Sequence, residues 1–451
     1  MLVLVRLSPK GSVVNLCNAI ESEKRNLYWE DVEPLYAIRQ EGKRYISILL
    51  DVKNLDAVNK VFVRNVHTMA AVKDTRTIPI MSPLYFPLPE GHPKDLDSFL
   101  VYLRVTPERY KAAYERIIGT KPPEGTYVRY LSYSFGDDDI ILNVLSADRE
   151  TARNFVERRI MKIRGVVSYD LSRVVRTLSL LPPDRLKAHK ERFMWTSPTG
   201  QDGELANPEE YAKYLREKAT MTVLVRLFAK KDMERLWEDI ETRLPAFESE
   251  DMVPLYASQQ EAKDHITVIF EARNFEVLKD VLVDNIPTLK NVRKTRTVPL
   301  LEPTYFLLPK DHPRELYRFL FSIRGEPNRY QTIRSNIISA AFPDNLYLTY
   351  LSYSLGEDDI LLSVLTDSRK TAQRFGRSLF EGMDGVESYD ISNQLRTKRL
   401  TSKERWKRHQ NRFLSSHDRQ HRRDFDPKYD WTEDFKTYAA MTGAFVDELE
   451  G

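Results

Sequence analysis

The chain repeats itself with a fixed offset of 220 residues. The segments VLVRL, PLYA, YLSYS and SYD, which begin at residues 3, 34, 130 and 168, return unchanged 220 positions later. Between 126–145 and 346–365, 13 of 20 positions are identical. Repetition at a constant period means that each copy folds as the same unit. The 451 residues therefore predict two equivalent halves, within the range of about two to four domains that the length allows.

Each half also contains a weaker internal repeat. Over residues 1–82 the apolar spacing changes from strand to helix, to two strands, to helix and back to strand, and residues 96–180 repeat this order. The order βαββαβ is that of a ferredoxin-like module. We therefore predict an α+β fold of four tandem modules in two duplicated halves. The predicted domains are modules at 1–86, 94–181, 221–306 and 314–400, a helical extension and linker at 182–220, and a basic helix with an acidic tail at 401–451.

The net charge of +3 hides an uneven distribution. Residues 396–423 sum to +9, residues 424–451 sum to −6, and the preceding body is neutral. Such a pattern is typical of an interaction segment followed by a balancing tail. The one cysteine, Cys17, excludes an intrachain disulfide and a cysteine-based zinc site. We expect Cys17 to be core, the protein to be cytoplasmic, and no membrane partner, because no apolar run reaches about 18 residues.

The segment 136–174 resembles the effector-sensing module of Lrp/AsnC (feast/famine) regulators. The resemblance implies that modules pair by their sheet faces into pseudo-dimeric α/β sandwiches, and that a small effector such as an amino acid binds near the central hairpin. The family's helix-turn-helix has no counterpart here, and modules one and three depart from the pattern at Tyr45, Ala262 and His265. The matching positions are Gly136, Asp139, Ile163, Gly165 and Val166, with Gly356, Asp359, Gly385 and Val386 in the second half.

The Gly-Asp-Asp-Asp hairpin is the first candidate site. We expect its glycine to supply the positive φ of a tight turn, and its carboxylates to hold the ammonium group of an amino acid. A tyrosine on the preceding strand could orient the ligand. The alternatives are a solvated acidic turn and a tyrosine that packs with a hydrogen-bonded tip. The predicted ligand-binding residues are Tyr133, Gly136, Asp138, Asp139, Tyr353, Gly356, Asp358 and Asp359.

The basic segment 396–423 is the second candidate. Trp406 and Phe413, seven residues apart, are interleaved with the cations. Clustered cations with aromatics suit phosphate contacts and base stacking. The alternative is a helix that the acidic tail neutralises. The predicted nucleic-acid-binding residues are Arg399, Lys403, Arg405, Lys407, Arg408, Arg412, Arg419, Arg422 and Arg423.

The sequence contains none of the common catalytic or nucleotide-binding motifs. His417 and His421 have a metal-compatible spacing but no third ligand nearby, so we expect no metal, no cofactor and no enzymatic activity. Two hypotheses remain open. The chain is a regulatory protein that senses a small effector and acts on a partner, or it binds RNA, DNA or the ribosome through 396–423. The sequence also leaves open whether chains associate into a homo-oligomer.

Overall fold

The computed structural model describes residues 1–28, 30–54, 57–58, 61, 69, 71–196, 204–216, 220–309, 311–313, 316–326, 329–356 and 358–415. The chain divides into two compact units. The first comprises Met1–Met221, Arg273–Thr288 and Arg293–Thr297, and the second comprises Thr222–Ala272, Leu289–Val292 and Val298–Gly451. The strands form two closed eight-stranded barrels, one from each half of the sequence.

The first barrel is built from two four-stranded antiparallel sheets. Within each module the neighbour order is fourth, first, third and second strand, as in a ferredoxin-like sheet. The two sheets are joined by pairing of β2 with β8 and of β4 with β6. The strands are β1 (Leu2–Pro9), β2 (Val32–Gln40), β3 (Ile46–Val52), β4 (Val72–Tyr85), β5 (Asp97–Val105), β6 (Tyr127–Ser134), β7 (Ile140–Ser146) and β8 (Val166–Ser179).

Helices follow the strands in the predicted order. Ser12 and Asp148 cap the first turns of two of them by accepting hydrogen bonds from the backbone N–H groups of Asn15 and Thr151. The helix predicted over 54–66 lies mostly outside the described residues. The helices of the first half are α1 (Val13–Ser22), α2 (Tyr110–Ile118), α3 (Arg149–Phe155), α4 (Pro183–Arg192) and α5 (Pro208–Arg216).

The second barrel has the same neighbour order as the first, so the predicted α+β class and the duplication are confirmed. Its strands are β9 (Met221–Ala229), β10 (Met252–Gln260), β11 (His265–Ala272), β12 (Val292–Tyr305), β13 (Tyr317–Gly325), β14 (Leu346–Ser354), β15 (Ile360–Thr366) and β16 (Val386–Arg399). The helices of the second half are α6 (Met233–Arg243), α7 (Phe275–Asp280), α8 (Tyr330–Ser339), α9 (Arg369–Phe380) and α10 (Lys403–Arg412).

The predicted sandwich of two sheets is in fact a closed barrel. The reason is strand length, since β4 and β8 each contain 14 residues whereas β3 and β7 contain 7. The first part of β4 pairs with β1 and its last part with β6, which belongs to the other module. Likewise, β8 pairs first with β5 and then with β2. Two long strands thus connect the sheets on both sides and leave no open edge.

Every residue of β3 and of β7 is buried, as expected for strands covered on both faces. Alternate side chains of a barrel strand face the interior and the outer helices. One helix per half, α4 or α10, also packs against residues of the barrel interior. The carbonyl of Phe193 after α4 accepts a hydrogen bond from the N–H of Tyr85 at 3.0 Å, and Phe413 after α10 does the same for Tyr305 at 2.9 Å. Among the described helices, none has the length and apolar character needed to cross a membrane.

Candidate functional site

A cavity of about 270 Å³ lies inside the first barrel. All eight strands of the barrel contribute inward-facing side chains to it, and α4 contributes two more. Most of its wall is aliphatic or aromatic. The lining residues are Leu4, Tyr36, Ile38, Ser47, Leu49, Ile80, Tyr85, Ser98, Leu100, Tyr102, Arg129, Tyr130, Ile141, Asn143, Val174, Thr177, Ser179, Leu186 and Lys190.

Tyrosine hydroxyls are the main neutral polar groups of the cavity wall. The hydroxyls of Tyr36 and Tyr85 lie 3.0 Å apart, and Tyr102 accepts a hydrogen bond from Gln40 at 2.9 Å. Burial raises the pKa of Tyr102 to about 12 and also raises the pKa values of Tyr36 and Tyr85. These phenols are therefore protonated near neutral pH and can donate hydrogen bonds. The buried Ser47 hydroxyl has no hydrogen-bond partner among the described residues, so it is available to a molecule in the cavity.

Two cations face the same cavity. Arg129 extends from β6 and is exposed, so the cavity meets solvent on its side; Lys190 extends from α4 and is half-buried. Burial, and then the charge of Arg129, lower the pKa of Lys190. No acidic residue belongs to the lining that the described residues form. The wall therefore combines an apolar interior with an excess of positive charge.

The second barrel is filled at the equivalent place. Its interior space is about 30 Å³ instead of about 270 Å³. Arg318 occupies the position of Ser98, and Trp406 on α10 occupies that of Leu186. Both larger side chains are essentially inaccessible, with 1% and 0% of their surface exposed. These two enlarged side chains accompany the smaller interior space, while the strand order stays the same.

Aromatic packing and hydrogen bonds hold Trp406 and its helix in place. The Trp406 ring meets Tyr256 and Tyr305 edge to face, at centroid distances of 5.6 and 5.7 Å. The hydroxyl of Tyr305 lies 3.2 Å from His409 Nε2, and His409 Nδ1 lies 2.5 Å from Glu271. Burial lowers the pKa of His409, so a neutral imidazole can accept at one nitrogen and donate at the other. In the first barrel the Tyr85 hydroxyl instead meets Tyr36 at the cavity wall.

The predicted hairpin residues lie outside this cavity and have protein partners. Asp139 accepts hydrogen bonds from the N–H of Val105 at 2.7 Å and from the hydroxyl of Tyr110 at 2.9 Å. Asp359 makes the same contacts with Gly325 and Tyr330, at 2.9 and 2.6 Å. These carboxylates fix the hairpin to the end of a strand and the start of a helix in each half.

The remaining hairpin positions are also used within each half. Asp138 forms an ion pair with Arg6 at 3.3 Å, and Asp358 forms one with Arg226 at 2.9 Å. The ring of Tyr133 stacks on Tyr114 with centroids 4.1 Å apart, and the guanidinium of Arg334 lies over the ring of Tyr353. A ligand at the hairpin would have to compete with these contacts, and its binding there stays a prediction.

The expected turn role of Gly136 is wrong, because its φ is not positive. A Cβ at Gly136 would instead lie 3.0 Å from Ile78, and a Cβ at Gly356 would lie 2.9 Å from Val298. Both glycines are required by the close approach of the hairpin to the neighbouring strand. A positive φ occurs at Gly42, in the first module's hairpin, where Ala262 adopts the same conformation in the second half.

The basic segment is largely integrated into the second barrel as far as Ser415. Arg405 pairs with Glu248 at 3.1 Å, and Arg412 pairs with Glu271 at 3.1 Å. Arg399 donates to the carbonyl of Thr401 at 3.3 Å, Lys403 also has an interaction partner, and Lys407 and Arg408 are exposed. Arg419, Arg422, Arg423, His417, His421 and the acidic tail lie outside the described residues.

Sequence reasoning missed the cavity, although the offset of 220 contained a signal for it. Among the lining positions, the inward-facing Ser98 stands against Arg318, and Leu186 on α4 stands against Trp406. A comparison of the two halves at every second residue of each strand would have revealed the first change, and a comparison along α4 and α10 would have revealed the second.

The sequence matches no protein-family model and no curated protein. Among solved structures, an anthrone oxidase-like protein is 10% identical over 40% of this chain and 94% of its own, with a TM-score of 0.29. A major regulator of staphylococcal pathogenesis is 9% identical over 38% and 97%, with a TM-score of 0.23. A heme-binding protein from Thermus thermophilus is 8% identical over 39% and 92%, with a TM-score of 0.25. At these scores the named activities belong to those proteins alone.

Proposed function

We propose that the chain is a binding protein that takes up a small, largely apolar molecule inside its first barrel, and that it acts as a sensor of that molecule. The observation that carries this proposal is the contrast between about 270 Å³ in one barrel and about 30 Å³ in its duplicate. The class of function agrees with the regulatory role expected from the sequence. The site that we propose is the barrel interior, whereas the sequence pointed to the acidic hairpin.

The cavity has the size and chemistry of a small-molecule site. An enclosed apolar cavity of about 150 Å³ can already bind benzene, and ligand sites combine apolar walls with a few placed polar groups. Here the apolar residues include Leu4, Leu49, Leu100 and Ile141, and the polar groups include the tyrosine hydroxyls and Ser47. An empty interior would be costly, because core atoms that border a void lose their dispersion contacts.

The proposal concerns binding and not catalysis. The phenols of Tyr36, Tyr85 and Tyr102 have raised pKa values, which suits them to donate hydrogen bonds and not to act as bases. Their hydroxyls are placed to orient a polar group of the bound molecule.

The second barrel supplies the variants that test this proposal. Leu186→Trp copies Trp406 and should fill the cavity of the first barrel. We expect wild-type protein to bind the neutral fluorophore N-phenyl-1-naphthylamine with a saturable rise in fluorescence. Leu186→Trp should reduce the affinity by at least about tenfold, equivalent to about 1.4 kcal/mol. Ser98→Arg combined with Leu186→Trp should abolish binding.

Lys187→Trp provides the matched control, because Lys187 is 76% exposed on the same helix. This variant adds the same ring outside the cavity and should bind the fluorophore like wild type. Circular dichroism and thermal unfolding would verify that each variant is folded. Equal fluorophore affinity in wild type, Leu186→Trp and Lys187→Trp would refute the proposed site.

A further inference from the structure

Two cations of the first barrel, Arg129 and Lys190, lack a counter-ion within the part of the chain that the structure describes. Other cations near the barrels are paired, for example Arg6 with Asp138 and Arg412 with Glu271. Among the described residues, neither Arg129 nor Lys190 forms an ion pair or a side-chain hydrogen bond, and both face the cavity. Placing two like charges at one partly buried site is unfavourable unless an opposite charge joins them.

The second half loses both cations together with the cavity. Thr349 stands at the position of Arg129, and Gln410 stands at that of Lys190. Thr349 bonds within its own barrel, donating to the carbonyl of Ser363 at 3.0 Å. Within one chain, therefore, Arg129, Lys190 and the larger cavity occur in the same barrel, whereas the smaller space of the second barrel is lined by a different, fully buried cation, Arg318. This association indicates that Arg129 and Lys190 interact with the molecule that occupies the cavity.

The distribution of charged and apolar residues along the cavity wall also predicts the orientation of the bound molecule. Arg129 lies where the cavity meets solvent, whereas Leu4, Leu49 and Leu100 are buried residues of the barrel interior. A cation at a partly dehydrated mouth favours an anionic group there, and charge-assisted hydrogen bonds are about twice as strong as neutral ones. The buried leucines favour an apolar body. Tyrosine and serine hydroxyls can satisfy one further polar group along its length.

We infer that the ligand is a small amphipathic organic anion, a carboxylate whose charged group is held by Arg129 and Lys190 while its apolar body enters the first barrel. This inference rests on the proposed function, since it specifies the chemistry of the molecule bound at that same site. An amino acid, the ligand expected at the acidic hairpin, fits this cavity poorly, because the described cavity wall offers no carboxylate to its ammonium group.

A matched series of eight-carbon compounds tests the inference. Octanoate, 1-octanol and octylamine would each compete with N-phenyl-1-naphthylamine for the full-length protein. We expect octanoate to displace the fluorophore at a concentration at least about tenfold lower than octanol, and octylamine to be the weakest competitor. If the fluorophore binds but octanol displaces it as effectively as octanoate does, the assignment of an anionic ligand is overturned, whereas the proposed binding function is retained.

Variants copied from the second half assign the effect to the two residues. Arg129→Thr combined with Lys190→Gln should reduce the affinity for octanoate by at least about tenfold and change the affinity for octanol by less than about twofold. Lys190→Arg, which keeps the charge, should retain octanoate binding. Unchanged octanoate affinity in the double variant would contradict the proposed role. Absence of any fluorophore binding to wild type would instead refute the proposed function itself.

Discussion

Asp139 shows how a residue singled out by a sequence resemblance can have a structural role. Its carboxylate accepts from Val105 and Tyr110 and so fixes the hairpin between β6 and β7. The sequence correctly identified the acid as special. It could not distinguish an acid that binds a ligand from one that binds its own chain, because the partners lie about 30 residues away and meet it only in the folded module.

The protonation of Asp139 gives a pH dependence with a defined sign. Burial raises its pKa from 3.8 to about 6. Its contribution to stability is therefore complete below pH 3.8 and is lost as the pH rises through about 6. We expect Asp139→Asn, which can keep both contacts through its oxygen and amide, to lack this loss. Urea unfolding at pH 4, 5, 6 and 7 measures the free energy of unfolding of the wild type and of Asp139→Asn. If the two proteins show the same pH dependence, Asp139 is not its source.

Gly136 supports a second residue-scale prediction. Gly136→Ala should lower the free energy of unfolding by about 1–3 kcal/mol, because the new Cβ would lie 3.0 Å from Ile78. The cost should shrink when Ile78 is itself replaced by alanine. Gly11→Ala, with nothing within 4 Å of its Cβ, is the control and should be nearly neutral. An equal cost of Gly136→Ala in both Ile78 backgrounds would show that crowding is not the cause.

At the scale of elements, α4 and α10 are equivalent helices that make different contacts with their barrels. Trp406 is completely buried, whereas Leu186 is half-buried beside an open volume. Trp406→Leu should therefore destabilise the second barrel by about 2–4 kcal/mol, as large-to-small core substitutions do. Leu186→Ala should lower the free energy of unfolding, measured with a chemical denaturant, by less than Trp406→Leu does. The reverse order would mean that the cavity is not a feature of the folded first barrel.

The basic helix α10 belongs to the same scale. Several of its cations are paired on the barrel surface, so nucleic-acid contact through 396–423 stays a prediction and depends here on the exposed Lys407 and Arg408. Lys407→Glu combined with Arg408→Glu should weaken RNA or DNA binding and flatten its dependence on salt. Filter binding at increasing salt provides the measurement, with Lys187→Glu on α4 as a control. Undiminished binding in the double variant would exclude this face as the contact.

At the scale of the whole molecule, the sequence predicted the duplication and the module order. The strand pairing that closes each barrel was not predicted. It depends on where the two halves of β4 and β8 find partners, and such long-range pairing is not encoded in local periodicity. The cavity was missed for a similar reason. Ser98 and Leu186 are far apart in sequence, and only their shared position in the barrel interior makes their small size meaningful.

Duplication would allow one half alone to carry the proposed binding function. Two copies of a stable barrel allow one to fill its interior with Arg318 and Trp406 while the other keeps an open, positively charged site. The residues of the second barrel therefore indicate which substitutions the first barrel can accommodate at equivalent positions.

The number of ligand molecules bound per chain tests this account most directly. Calorimetric titration of the full-length protein with N-phenyl-1-naphthylamine should give one site per chain in wild type and none in Ser98→Arg combined with Leu186→Trp. Because the two barrels share their topology, binding at features common to both would give two sites. A stoichiometry of two, or one site that persists in the double variant, would contradict the claim that the first barrel alone is the binding site.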